Sequence, residues 1–398
     1  MTSTSGFRPP EMPGAPFLRR DNGPLPAAVD SEQPFEPVVF TGTGREYFGI
    51  WIVNILLTIV TLGIYSAWAK VRRNRYFYAN THVRGHSFDY HARGGQIFKG
   101  RLIVFSIVAA VGVVRFFNPA VGALLSLSLV LLIPWMISRG LRFAAHNTSW
   151  RNIRFRFTGG VGGALVACVI APLLTVSTLT LLHPWAARRF NAYLFDNLSW
   201  GGVRFRVNVG TGKLFGLWFK ALGLGILLVT FAAVVAVLLG MNAKILSPNL
   251  NSHTLSDPMA VAVSAFLFSF VILPLLLAAC YRIWIMNAIR SSVTAEWPLP
   301  PPAPHAPPPT GVVFARVQST VKPLVWCWIW VSNLILTIVS LGLLRPWGAV
   351  RMARFVYAHT ALAVTKDVDS IVDSLNPEGS VTGAEFMDTG GLGFDFGF

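Results

Sequence analysis

Three histidines stand close together, His82, His86 and His91, with Asp89 among them. Imidazoles four residues apart share a helix face and suit a metal ion. Here Phe88 and Tyr90 alternate with Asp89 and His91, which is a strand period and breaks that face. No glutamate follows His82 as a zinc-protease helix requires. The expectation is an interfacial polar turn and no metal site. The glycine runs GTGR at 42–45 and GTGK at 210–213 suggest phosphate loops, but lack the spacing and the following Ser/Thr; they read as turns that open helices. Cys168, Cys280 and Cys327 lie in apolar stretches and form no CxxC pair, so they read as small apolar side chains. No Ser/His/Asp or Cys/His constellation is visible, so neither an enzyme nor a cofactor is expected.

Two further sets of residues are more informative. Asn54, Thr58 and Thr61 are spaced by four and three, as are Asn333, Thr337 and Ser340, so each trio lies on one helix face. In a bilayer such groups either bond neighbouring helices or line a polar path. The second set is basic and follows a tryptophan. Arg72, Arg73 and Arg75 come after Trp68, Arg188 and Arg189 after Trp185, and Arg351 and Arg354 after Trp347. Trp followed by Arg is the ordinary interfacial anchor. It can also hold anionic lipid headgroups at about 1 kcal/mol per basic residue.

The elements that must position these residues are apolar. Of the 398 residues, 53% are hydrophobic and 13% charged, with a mean hydropathy of +0.55. A soluble chain carries about 25% charged residues. Between Tyr47 and Thr360 there are 28 Lys or Arg against four acids, and the basic residues flank apolar blocks. That is the positive-inside pattern; no groove-reading motif points to nucleic acid. The apolar blocks run over about 48–68, 102–117, 120–138, 161–185, 214–240, 259–285 and 324–344. A spanning helix needs about 20 such residues, so most blocks qualify. Residues 1–37 are polar and proline-rich and read as a disordered tail, with no cleavable signal peptide. Residues 291–311 read as a proline-rich linker, and 361–398 as an acidic disordered tail.

Blocks one and seven match without gaps at an offset of 279: Trp51, Asn54, Thr58, Gly63, Trp68, Arg72, Arg75, Tyr78 and Thr81 recur as Trp330, Asn333, Thr337, Gly342, Trp347, Arg351, Arg354, Tyr357 and Thr360. A middle copy carries Thr175, Thr178, Trp185, Arg189 and Asn197, with Ala171 in place of the asparagine. This divides the chain into repeat unit 1 over 38–146, unit 2 over 147–290 and a truncated unit 3 over 312–360. The stretches NTSWRNIRFRF from Asn147 and NLSWGGVRFRV from Asn197 alternate apolar and basic residues, which reads as short surface β-hairpins.

Charge constrains topology. If every block crossed once, the basic segments 139–156 and 188–213 would lie on opposite sides. Re-entrant blocks, bent at Thr61–Gly63, Thr178–Thr180 and Ser340–Gly342, would put them on one side, with blocks two, three, five and six spanning. Seven plain spans with one charge violation is the competing topology.

GTGREYFGIWIVNILLTIVTLGIYSAWAKVRRNRYFYANT from Gly42, GHSFDYHARGG from Gly85, HPWAARRFNAYLFDN from His183 and LTIVSLGLLRPWGAVRMARFVYAH from Leu336 resemble the YjgN-like family of bacterial inner-membrane proteins. The resemblance covers about residues 38–360 and implies a membrane location, but no activity, ligand or catalytic residue.

The fold expected is thus an all-α polytopic membrane protein of six or seven apolar blocks in internal repeats, with re-entrant segments and surface β-hairpins as options. The leading functional expectation is a passive transporter or channel-like bundle in the bacterial inner membrane. The alternative is a non-transporting protein that organises lipid or scaffolds assembly. Anionic lipids are the expected partners under either reading. Apart from Lys220, no ionisable side chain lies centrally in a clear span, which weakens a coupled pump.

Overall fold

Five times along the chain a short strand leads into a pair of antiparallel helices and out through a second short strand. In the computed structural model, which describes residues 33–246, 258–297, 312–365 and 368, the first such unit is β2 (Val39–Phe40), α1 (Gly44–Val60), α2 (Ser66–Ala79) and β3 (Thr81–Val83). The second is β4 (His86–Tyr90), α3 (Gly94–Phe117), α4 (Pro119–His146) and β5 (Thr148–Trp150). In the third, β6 (Ile153–Phe157) is followed by α5 (Val161–Leu165), a π-helical turn (Val166–Ile170) and α6 (Ala171–Ser177), then α7 (His183–Phe195) and β7 (Leu198–Trp200). The fourth is β8 (Val203–Val207), α8 (Thr211–Leu246), α9 (Pro258–Arg290) and β9 (Val293–Trp297), and the fifth β10 (Val312–Ser319), α10 (Pro323–Val339), α11 (Arg345–Ala358) and β11 (Thr360–Val364).

The unit closes the same way each time. The residue after the incoming strand donates its N–H to a carbonyl just before the outgoing strand: Thr41 to Asn80, His91 to Asn147, Thr158 to Asn197, Asn208 to Ser292 and Thr320 to His359, at 2.8–3.0 Å. The recurring asparagines belong to this joint. Asn80, Asn147 and Asn197 each donate Nδ2 to the carbonyl four residues back, at 2.8 Å, satisfying a helix end that would otherwise lack a partner.

Units are joined by tight turns. Val83 pairs His86, Trp150 pairs Ile153 and Trp200 pairs Val203, so two residues make each turn. Arg84 and Gly85 have φ of 49° and 78°, and Arg151 and Asn152 of 52° and 64°, the left-handed conformations that match hairpin twist. All pairings are antiparallel, in the order β1-β11-β10-β9-β8-β7-β6-β5-β4-β3-β2, where β1 is Glu36–Pro37. The end strands β1 and β2 are separated by Val38 alone, whose N–H donates to Thr360 O at 2.9 Å. The eleven-stranded sheet therefore returns on itself as a near-closed barrel.

Strand alternation decides what lies inside. Phe88, Phe155 and Phe205 stack across the alternate strands β4, β6 and β8, with ring centroids 6.4 and 6.3 Å apart. At the turn end Trp150, Trp200 and Phe314 pack with Val38, Ile153, Val203 and Val368 into one buried cluster. Each indole is satisfied: Trp150 Nε1 donates to His86 O at 3.3 Å and Trp200 Nε1 to Trp150 O at 3.2 Å. Arg154, Arg156, Arg204 and Arg206 alternate with these residues and are exposed. The helices close around the other end, since α2 packs on α3, α4 on α5, α7 on α8, α9 on α10 and α11 on α1.

This corrects the all-α expectation. The surface hairpins are parts of one barrel, and it is built from strands of two to eight residues. A two-residue strand has no readable period, and partners such as Arg204 and Glu296 are far apart in sequence. The apolar blocks therefore dominated the pattern. β1 falls within the segment read as the N-terminal tail and β9 within the linker. β11, Thr365 and Val368 fall largely within the C-terminal tail, and the last two are buried. The remainder of the tails and the stretch 298–311 lie outside the described residues. Among the described residues three helices, Gly94–Phe117, Pro119–His146 and Thr211–Ala232, are long and apolar enough to cross a membrane, fewer than the blocks counted in the sequence.

Candidate functional site

The chain reverses at Thr61–Gly63, Thr178–Thr180 and Ser340–Gly342. Leu62 and Gly63 have φ of 49° and 91°, Leu179 and Thr180 of 48° and 72°, Leu341 and Gly342 of 52° and 93°. A leucine in the left-handed region costs about 1–2 kcal/mol, so the rest of the turn must hold it there. The holding bonds are the same three times. Gly63 N donates to Thr58 O, Thr180 N to Thr175 O and Gly342 N to Thr337 O, each at 2.7 Å. The hydroxyl at the start of the turn closes the remainder. Thr61 Oγ1 donates to Leu57 O at 2.6 Å and accepts from Tyr65 N at 2.9 Å. Thr178 does so with Leu174 and Leu182, and Ser340 with Leu336 and Leu344. Every backbone N–H from 61 to 66 is bonded. The tip side chains meanwhile point away from the protein: Leu62 and Leu341 are 94% exposed and Leu179 87%. The tip therefore meets its backbone N–H groups internally and turns an apolar surface outward, which lowers the cost of placing it against lipid.

Asn54 and Thr58 work inside the first hairpin. Asn54 is buried and donates Nδ2 to Ala69 O at 3.4 Å, and Thr58 Oγ1 donates to Asn54 O at 2.6 Å. In the last hairpin Asn333 donates to Gly348 O at 3.0 Å and Thr337 to Asn333 O at 2.7 Å. The six residues considered for a polar path are thus not brought together; each trio fastens its own hairpin. α1 packs on α11, so the two hairpins meet through α11.

The arginines divide into two kinds. Arg72 Nη1 reaches Asn54 Oδ1 at 3.5 Å and Tyr65 OH at 3.3 Å, and Arg351 Nη1 reaches Asn333 Oδ1 at 3.5 Å and Ser332 Oγ at 2.9 Å. Arg354 donates to Gly42 O at 3.0 Å and Arg188 to Val209 O at 2.9 Å, each tying a hairpin to the loop that opens the next. Arg73, Arg75 and Arg189 are exposed. With Arg154, Arg156, Arg204 and Arg206 they leave the outside of the molecule strongly cationic. The arginines of β6 and β8, read in the sequence as parts of short surface hairpins, were not among the candidate headgroup contacts.

The other sequence motifs resolve differently. His86 pairs Val83 and His82 pairs Ser87, so strand alternation sends the two to opposite faces. His91 Nε2 lies 2.7 Å from Ser149 Oγ, and partial burial, with Arg154 nearby, lowers its pKa from the ordinary imidazole value. Among the described residues no three His, Cys, Asp or Glu converge. Of the two glycine runs, the first serves packing: a Cβ on Gly44 would stand 2.4 Å from Trp347 Cδ1, whereas one on Gly210 or Gly212 would meet nothing within 4 Å.

One cavity lies against the last hairpin. Its volume is about 640 Å³, and Ile329, Leu336, Leu344 and Phe355 line it together with Arg351 and Arg354.

Comparison with known proteins agrees with a family whose function is open. Inner membrane protein YjgN of Escherichia coli (strain K12) is 40% identical over 146 residues, 36% of this chain and 37% of that protein. The protein of the same name from Salmonella typhimurium (strain LT2) is 40% identical over 121 residues, 30% and 31% respectively. The alignments thus span about a third of the length of these curated relatives. No solved structure matches the chain. The family described as "Bacterial protein of unknown function (DUF898)" matches residues 35–299 and 308–389, and on that coverage the chain belongs to it.

Proposed function

We propose that this chain is an integral inner-membrane protein that seats its barrel at the cytoplasmic face and organises anionic lipid there, without transport or catalysis. The observation that carries this reading is the tip of the short hairpins, locked by its own hydrogen bonds and apolar outside. Such tips suit insertion into one side of a bilayer and return to the same side. The exposed arginines near the strand end suit anionic headgroups. The name of the relatives supports the location.

A passive conduit is the second reading, favoured by the near-closed ring of strands and the helices around it. It loses its expected lining, because the Asn/Thr trios are used within hairpins, and the turn end of the barrel is filled by Trp150, Trp200 and Phe314. Reconstitution of the full chain into vesicles of phosphatidylethanolamine and phosphatidylglycerol separates the two. The lipid reading expects no release of trapped ions or small solutes above empty vesicles, and phosphatidylglycerol enriched on the protein after extraction. Release that scales with protein, without enrichment, would favour the conduit.

A further inference from the structure

The cavity between α10, α11 and the start of α1 has the make-up of a binding site. Its walls are apolar, from Ile329, Leu336, Leu344 and Phe355, and Arg351 and Arg354 stand one helical turn apart on the same side. No carboxylate lines it. Arg351 donates to Ser332 and Asn333, and Arg354 to Gly42 O. A guanidinium has five N–H donors, so both retain donors, and among the described residues neither is paired with a carboxylate. A volume of about 640 Å³ falls in the usual range for small-molecule sites.

The corresponding hairpin explains why this site is open. At the position of Leu344 the first hairpin has Tyr65, whose hydroxyl occupies Arg72 at 3.3 Å. At the position of Gly348 it has Ala69, and at that of Phe355 it has Tyr76, whose hydroxyl is held by Thr43 and Glu46. The last hairpin has replaced two hydroxyls by apolar surface, removed a methyl group, and left its arginine fork free of a phenol.

We propose that this cavity binds one anionic phospholipid, its phosphate on Arg351 and Arg354 and an acyl chain along Leu336, Leu344 and Phe355. This rests on the lipid-organising reading and sharpens it to one site. A soluble phosphate would satisfy the arginines and leave the apolar wall in water. An acyl chain covers that wall, which continues into the exposed Val339, Leu341 and Leu343 of the tip.

Native mass spectrometry of the full chain in detergent tests it, with phosphatidylglycerol and phosphatidylcholine of identical acyl chains as probes. The unaltered protein should retain one phosphatidylglycerol in preference to phosphatidylcholine by about tenfold, the scale of one charge-assisted hydrogen bond. Leu344→Tyr, which restores the phenol, should abolish that preference, and Tyr65→Leu should leave it unchanged. Arg354→Gln is the second variant should Leu344→Tyr not fold, with the same loss expected. Glycerol phosphate at equal concentration should not displace the lipid; displacement would overturn the proposal in favour of a soluble ligand. Full preference in the folded variants would overturn the site while leaving lipid organisation standing. No preference in the unaltered chain would overturn both.

Discussion

The α1–α2 and α10–α11 hairpins are fastened alike and differ beside their arginines. In both, an asparagine donates across to the second helix, a threonine bonds back to it, and a hydroxyl locks the tip. Arg72, however, reaches the hydroxyl of Tyr65, whereas Arg351 reaches that of Ser332, where the first hairpin has Val53. The common bonds hold the backbone, so they are what the fold demands. The exchanged partners alter only what surrounds the guanidinium, and they coincide with the cavity. A shared fastening thus leaves the surroundings of the arginine free to differ between the two hairpins.

The comparison breaks most severely where both hairpins lose their seat. Trp200→Ala should destabilise the barrel by about 3–5 kcal/mol, the usual cost of a large aromatic in a core. Thermal unfolding in detergent should show it as a large fall in Tm for the whole chain. If only one hairpin loosens in hydrogen exchange, the barrel is not their common seat. Next in size are Asn54→Leu and Asn333→Leu. Each removes the bond to a carbonyl of the facing helix and one of the two partners of an arginine, at about 1–3 kcal/mol. Similar losses are expected from both; a loss from one alone would mean that the fastenings are not equivalent.

Gly63→Ala and Gly342→Ala should cost about 1 kcal/mol each, because φ near 90° is open to glycine and strained for alanine. Equal shifts in unfolding midpoint would sharpen the match between the tips. The smallest effect concerns pH. Thr41 and Thr320 open the first and last hairpins, but His91 opens the second. Its pKa is lowered in the folded chain, so the folded state prefers the neutral ring. That stability is complete above the unfolded pKa of about 6.5 and declines as pH falls through the lower folded value. His91→Asn should flatten the fall between neutral and acid pH, and an unchanged profile would dismiss the contribution.

The bends were visible in the sequence because Thr61-Leu62-Gly63 and Ser340-Leu341-Gly342 recur with the residues around them, and a glycine after a leucine marks a reversal. The strand period of Val203–Val207 was visible too, since alternation is local. The pairing of Arg204 with Glu296 was not, because nothing local encodes a partner so distant. β2 and β1, two residues each, carry no period at all. For Asn54 and Thr58 the spacing showed a shared face, but whether that face meets its own second helix or an aqueous path depends on packing. Leu344 drew no notice, since its meaning lies in the contrast with Tyr65 and in the cavity behind it.

In the proposed arrangement the three short hairpins enter and leave the membrane on one side. Single cysteines introduced as Arg73→Cys, Arg154→Cys, Arg189→Cys and Arg351→Cys, in a chain with Cys168, Cys280 and Cys327 replaced by alanine, test it with a membrane-impermeant thiol reagent on intact cells. All four flank strands of one barrel or helices that return to it, so all four should stay unlabelled until the membrane is opened. Labelling of the residue 189 cysteine from outside, with the other three protected, would contradict that arrangement and make residues 161–185 a true crossing.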